Sequence, residues 1–203
     1  MDAREWFSTA TSGVRTLLPG LANYWDQPGL GNWSVRSLLG HTSRAFSTLE
    51  TYLVAGADST SPIALDSAAA YYRAAAGSLA DPVQVTERGR QAGIALGDDP
   101  AGTVDRAAQR ALDLIAATSD DAVVATPLGA MTLTGYLPTR AFELSVHGID
   151  LARASGQAIP VKLTATAGNC LQLACGIASE QQRLALLLAS TGRAPLPQDF
   201  STL

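Results

Sequence analysis

One predicted helix, over residues 140–156, places charged side chains where an ordinary amphipathic helix has none. The segment contains good helix formers, no internal proline, and a final glycine that can stop the helix. Glu143 and His147 are four residues apart and share one face, and Arg140 and Asp150 extend the same stripe at three-residue offsets. Apolar residues border the stripe on both edges: Leu137, Leu144 and Leu151 on one, and Phe142, Val146 and Ile149 on the other. A polar stripe between two apolar ridges is expected to face inward, where charges must be paired or bind a metal.

A second helical pattern carries the other histidine of the chain. Ser34 is a good N-cap, and apolar residues then repeat at helical spacing until about residue 56. His41 lies at the edge of that apolar face, and this pattern taken alone favours a core-edge histidine with no ligand role. Because the chain has two histidines in all, imidazole chemistry has to use His41, His147 or both. Two histidines and the Glu143 carboxylate on facing helices would supply three ligands and leave coordination positions open, as in catalytic zinc or non-haem iron(II) sites.

The remaining patterns predict an all-α fold. Helical periodicity covers these ranges, with breaks expected at Pro19-Gly20 and Asp81-Pro82: 3–24, 66–96, 101–119, 162–178 and 180–191. Residues 56–65 are predicted to form a loop, and the β-prone segment 122–133 a short hairpin or extended crossing. We therefore predict a four-helix bundle over residues 1–160, with residues 161–203 forming a small helical extension packed on the same domain.

Composition excludes several classes of function. A chain of 203 residues with net charge −4 and only 14 Lys plus Arg is a poor candidate for nucleic-acid binding. The apolar run at 184–189 is too short for a membrane span and predicts core packing, and the N-terminus lacks a signal-peptide pattern. The cytoplasm is thus the expected compartment. Cys170 and Cys175 lie five residues apart on a predicted helix and are expected to be reduced core thiols.

Two motifs resemble a known family. The segment from Trp33 to His41, Trp-Ser-Val-Arg-Ser-Leu-Leu-Gly-His, is similar to the start of helix two in DinB-like metal-binding domains. The segment 140–156, Arg-x-x-Glu-x-x-x-His-x-x-Asp-Leu-Ala-x-Ala-x-Gly, resembles the mycothiol-dependent maleylpyruvate isomerase family. The C-terminal segment 186–197 is similar to the end of single-domain members. The resemblance covers nearly the whole chain.

The resemblance implies a DinB-like bundle whose metal ligands are His41, Glu143 and His147. The metal would be Zn²⁺ or another divalent ion such as Ni²⁺ or Fe²⁺. Ser37 departs from the family pattern, which usually has Asp or Glu at that position as a capping residue or a support for the ligands. The chain is also too short for the second domain of the isomerase itself.

The family's cosubstrate is mycothiol, so the resemblance implies a mycothiol-dependent S-transferase or isomerase acting on a small electrophile through a metal-bound thiolate. Isomerisation, conjugation and displacement of a leaving group all remain open. Alternatives are a non-catalytic metal- or thiol-binding sensor with the same fold, or an enzyme that uses bacillithiol or glutathione. The oligomeric state is also open, with a homodimer included.

Three further residues are candidates for supporting roles. Asp150 could accept the second ring N–H of a ligand histidine. Alternatively, it forms a surface salt bridge with Arg153 or is a charge near the helix end. Arg140 could hold an anionic substrate or a group of mycothiol, although pairing with Glu143 or Asp150 is the favoured interpretation. Arg44, one turn past His41, is a weaker candidate for binding the cosubstrate.

Overall fold

The computed structural model describes residues 1–56, 62–76 and 81–202, and within them it is mainly helical. The helices, in chain order, are α1 (Ala3–Leu17), α2 (Val35–Gly56), α3 (Ala68–Ala76), α4 (Pro82–Ala95), α5 (Pro100–Ala117), α6 (Leu133–Ala154), α7 (Val161–Ala165), α8 (Ala167–Ile177) and α9 (Glu180–Ser190). A 3₁₀ turn, Leu18–Leu21, follows α1. The all-α prediction is confirmed. The predicted loop 56–65 and helical region 66–96 include residues 57–61 and 77–80, which lie outside the described residues.

Four helices form the central bundle. α1 packs against α6 and α5, and α2 packs against the same two helices, so the four elements enclose one core. Large side chains in that core are fully buried, among them Phe7, Phe46, Leu39, Tyr136 and Leu144. Burial of each such side chain contributes about 1.5–3 kcal/mol to the free energy of folding. A core held together in this way keeps the polar groups beside it in fixed positions. The bundle thereby sets α2 beside α6, the two helices that carry the histidines.

Helix boundaries follow local chemistry. Asp2, Asp81, Asp99 and Thr132 each cap a helix by accepting hydrogen bonds from backbone N–H groups in its first turn. α1 ends at Leu17, slightly before the break expected at Pro19-Gly20, because the following residues tighten into the 3₁₀ turn.

The predicted hairpin is present. β1 (Val123–Thr126) and β2 (Gly129–Thr132) pair antiparallel, with Val124 opposite Met131. Both of these side chains are fully buried, and β1 packs on α2. The hairpin therefore fixes where α6 begins.

The C-terminal segment differs from expectation in three ways. The helix predicted over 162–178 is divided at Thr166 into α7 and α8. α9 forms where expected, but its leucines are not core, since Leu184 is 55% and Leu187 58% exposed. Both cysteines are free thiols, but Cys175 is exposed and Cys170 only half-buried, so the core-thiol expectation is wrong for Cys175.

Among the described residues, no helix is both long and apolar enough to cross a bilayer.

Candidate metal centre

Three side chains from two helices converge beside the bundle core. α2 supplies His41, and α6 supplies Glu143 and His147 one turn apart. Oε2 of Glu143 lies 3.6 Å from Nε2 of His41 and 3.4 Å from Nε2 of His147. One donor atom from each of the three residues lies within 4.8 Å of the other two. The polar stripe predicted on α6 thus faces inward and meets His41, as the sequence patterns suggested.

The spacing of these donor atoms suits a small divalent ion. In a tetrahedral zinc site with bonds of about 2.0–2.2 Å, neighbouring ligand atoms are separated by about 3.3–3.6 Å. The two distances from Glu143 match that separation without any rearrangement of the backbone. Two imidazoles and one carboxylate are also a donor set that zinc and iron(II) favour. The residues present therefore fit such an ion.

The two imidazoles are held by different contacts. Nδ1 of His147 lies 3.1 Å from Oδ2 of Asp150, so the ring N–H has a carboxylate acceptor. His41 has no such acceptor, since its Nδ1 is buried and forms no hydrogen bond within the described part of the chain. The indole of Trp33 instead stacks on His41, with ring centroids 4.5 Å apart, and its Nε1 donates to the Thr86 carbonyl.

A tyrosine that the sequence analysis did not identify holds the other oxygen of Glu143. The Tyr72 hydroxyl, on α3, lies 2.6 Å from Oε1 of Glu143 and 3.1 Å from the Thr139 carbonyl. Because the carboxylate is the stronger acceptor, the single hydroxyl proton is donated mainly to Glu143. The Tyr71-Tyr72 pair in an alanine-rich helix was the one available sequence signal, and it does not indicate which partner either ring contacts.

The charges of the cluster are strongly coupled. Burial would raise the pKa of the Glu143 carboxyl, but the adjoining imidazoles of His147 and His41, together with Arg140, hold that pKa well below its usual range. Burial would likewise lower the pKa of His147, but Asp150 and Glu143 raise it to about 9. The pKa of His41 is lowered, chiefly by burial and further by the proximity of His147. Without a metal, His147 is thus the protonated imidazole of the pair.

A cavity of about 340 Å³ opens beside the cluster. His41 and Glu143 line it, together with Arg44, Arg88 and Arg140. Three cationic side chains around one cavity contrast with the net charge of −4 for the whole chain.

Arg140 does not form the ion pair that was favoured from the sequence. Its side chain is only 9% exposed, yet within residues 1–56, 62–76 and 81–202 no carboxylate lies within 4 Å of it. Its Nε donates to Oγ1 of Thr139, and its guanidinium carbon lies 5.0 Å and 5.7 Å from the ring centroids of Tyr136 and Tyr71. These cation–π contacts stabilise the buried charge without neutralising it.

We expect the metal-free protein to lose stability as pH rises from about 6.5 to about 9. In the folded state the pKa of His147 is raised from 6.5 to about 9. The protonated imidazole therefore contributes its full share to the free energy of unfolding below pH 6.5, and this share is lost as the pH rises through the folded-state pKa. A shift of this size corresponds to a contribution on the order of 3 kcal/mol. Urea unfolding at a series of pH values, in the presence of a chelator, measures the free energy of unfolding as a function of pH. In Asp150→Asn the decline should be smaller, and an identical decline would show that Asp150 does not hold the proton on His147.

The fold and this cluster together define a helical-bundle protein with a two-histidine, one-carboxylate site that could hold a metal ion. The chain belongs to the mycothiol maleylpyruvate isomerase N-terminal domain family, whose model matches residues 8–152. The match includes His41, Glu143 and His147 and confirms the resemblance drawn from the two motifs. No curated protein and no solved structure matches the chain significantly.

Proposed function

We propose that this chain is a metal-dependent, thiol-activating enzyme that uses mycothiol as an S-transferase or isomerase on a small electrophile. The observation that carries the proposal is the convergence of His41, Glu143 and His147 beside a cavity whose wall also contains Arg44 and Arg140. Family membership connects the chain with mycothiol. Because mycothiol is a thiol of the cytoplasm, a cytoplasmic location is part of the proposal.

The donor set favours a catalytic site over a structural one. Structural zinc sites are closed by four protein ligands, whereas three protein ligands leave a position for a cosubstrate. Zn²⁺ is the proposed ion, and Ni²⁺ or Fe²⁺ would suit the same residues. When bound, the ion would supply Lewis acidity that lowers the pKa of a coordinated thiol, so that the thiolate nucleophile is present at neutral pH.

Residues of the chain would orient the reactants. Asp150 would fix the ring orientation of His147 by accepting its Nδ1 proton, and Trp33 would fix His41 by stacking. Arg140, which has no carboxylate partner among the residues that the structure describes, would hold an anionic group of the electrophile or of mycothiol. Arg44 lies in the same wall and would assist.

The three candidate reactions share one bond-forming step. The thiolate sulfur forms a bond to an electrophilic carbon of the substrate, and the thiol proton is released. In isomerisation and in conjugation, this addition breaks the π bond of a conjugated carbon–carbon double bond, and the electron pair moves onto the activating group. Rotation about the resulting single bond and loss of the thiolate complete isomerisation, whereas addition of a proton to the adduct completes conjugation. In transfer, a leaving group departs with the electron pair of its bond. Each outcome balances without an external oxidant or reductant.

The experiment that tests the proposal combines three measurements on the purified protein. Elemental analysis should find about one divalent metal ion per chain, and calorimetric titration should detect mycothiol binding that requires the metal. A panel of electrophiles should then reveal turnover that depends on mycothiol and is lost with a chelator. Thiol binding without turnover on any electrophile would identify a sensor or binding protein, and turnover with bacillithiol or glutathione alone would identify another thiol as cosubstrate.

Replacing Arg140 with Gln should weaken the use of anionic electrophiles selectively. Loss of a charge-assisted hydrogen bond costs about 1.5–3 kcal/mol, so KM for a carboxylate-bearing electrophile should rise about 10- to 100-fold. For a neutral electrophile KM should change much less, because that substrate offers no anion to the guanidinium. Steady-state kinetics with both substrates measure the difference, and Arg193→Gln, in the exposed C-terminal segment, is the control. Equal effects on both substrates would instead assign Arg140 to mycothiol binding or to structure.

A further inference from the structure

The tyrosine contact to Glu143 suggests a role that the family match does not assign. Tyr72 lies on α3, outside the bundle, and its hydroxyl reaches across to the centre of the cluster on α6. Its ring packs edge-on against Phe142, with centroids 5.6 Å apart, and against Tyr71, at 5.9 Å. Aromatic contacts on two sides restrict the ring, and the hydroxyl position is therefore well defined.

The two oxygens of Glu143 have different partners as a result. Oε1 accepts the hydrogen bond from Tyr72 at 2.6 Å, while Oε2 faces Nε2 of both His41 and His147. A carboxylate whose second oxygen is hydrogen-bonded is held to one orientation. It then offers a single oxygen to anything bound between the imidazoles.

We propose that Tyr72 is a positioning residue that keeps Glu143 a one-oxygen ligand, so that coordination positions at the metal stay open for the thiol. This inference rests on the proposed function. The three protein donors are then Oε2 of Glu143 and the Nε2 atoms of His41 and His147. Were both carboxylate oxygens used, one of the positions needed by a cosubstrate would be filled.

The Tyr72→Phe variant tests the role directly, since it removes the hydroxyl and retains the ring packed on Phe142. Zn²⁺ affinity, measured by competition with a chromophoric chelator, should fall about 10- to 100-fold, the usual effect of losing a group that supports a metal ligand. The visible absorption of the Co²⁺-loaded variant should also weaken, because the freed second oxygen raises the coordination number. Tyr71→Phe is the matched control: it removes a neighbouring hydroxyl that makes no hydrogen bond to Glu143 within the described residues, and it should retain wild-type affinity and spectrum.

A second measurement does not depend on the folding of the variant. In wild-type protein, the proton NMR spectrum should contain a downfield, slowly exchanging hydroxyl resonance with a cross-peak to the Tyr72 ring, and that resonance should shift when Zn²⁺ is added. Absence of the resonance, or unchanged Zn²⁺ affinity and Co²⁺ spectrum in a folded Tyr72→Phe, would overturn the inference. Failure of the wild-type protein to bind a stoichiometric divalent ion would instead overturn the proposed function.

Discussion

Glu143→Gln should reduce the metal content of the purified protein from about one ion per chain to nearly none. The Oε2 atom of Glu143 lies 3.6 Å and 3.4 Å from the Nε2 atoms of His41 and His147. The amide that replaces the carboxylate is neutral and a much weaker ligand. The substitution therefore removes the negatively charged donor from a set of three. We expect Zn²⁺ affinity to fall by more than the 10- to 100-fold typical of groups that only support a ligand.

The matched control is another Glu-to-Gln substitution, at Glu50 on α2. Glu50 lies on α2 and pairs with Arg110 at 3.2 Å on the surface, and Glu50→Gln removes an equal charge without touching the cluster. His41→Ala should behave like Glu143→Gln, because it removes the ligand that α2 contributes. Elemental analysis and chelator competition are the measurements. One ion per chain in both Glu143→Gln and His41→Ala would place the metal elsewhere or show that none belongs to this site.

The helix-level features of the site were predictable because they depend on local spacing. Residues four apart on a helix share a face, so Glu143 and His147 had to be neighbours once residues 133–154 formed α6. Apolar ridges on both sides of the stripe required it to face inward. His41 was placed opposite them through the resemblance of its motif to the family, because its helix pattern alone favoured a core-edge histidine.

Features that depend on how distant elements meet were not predictable. Nothing in the alanine-rich sequence of α3 indicates that Tyr72 reaches Glu143, because that contact depends on the position of α3 relative to α6. The favoured ion pair for Arg140 was wrong for the same reason: tyrosine rings from α3 and α6 surround the guanidinium instead. Asp150 was left between two interpretations, and only the coordinates place it beside Nδ1 of His147.

The leucines of α9 illustrate the limit of composition as a guide to burial. Leu184 and Leu187 lie in a strongly apolar run, but an 11-residue helix buries a face only where another element packs against it. Both side chains are more than half exposed. Apolar sequence therefore predicted the helix correctly and its environment incorrectly.

Gly40→Ala should destabilise the protein by about 2–3 kcal/mol, the upper part of the range for overpacked sites. A Cβ at Gly40 would lie 2.2 Å from the backbone nitrogen of Gly93 and 2.5 Å from the carbonyl carbon of Ala92, so α2 and α4 touch through their backbones. Neither atom belongs to a side chain that could rotate away, and relief of the clash requires α4 to move as a unit.

A movement of α4 would also disturb the candidate metal centre, because α4 packs against the Trp33 indole that stacks on His41. A Cβ at Gly89 would lie 2.5 Å from the Trp33 indole, which shows how closely α4 covers that ring, and the indole stacks on His41. We therefore expect Gly40→Ala to lower Tm by about 5–10 °C and to weaken Zn²⁺ binding together with it. Gly168→Ala is the control, since its added Cβ would meet no other described part of the protein within 4 Å, its own helix turn aside, and a helical alanine is slightly favoured over glycine. If calorimetry gave the same Tm for Gly40→Ala and wild type, the close contact between α2 and α4 would be wrong, and with it the support that α4 gives to Trp33 and His41.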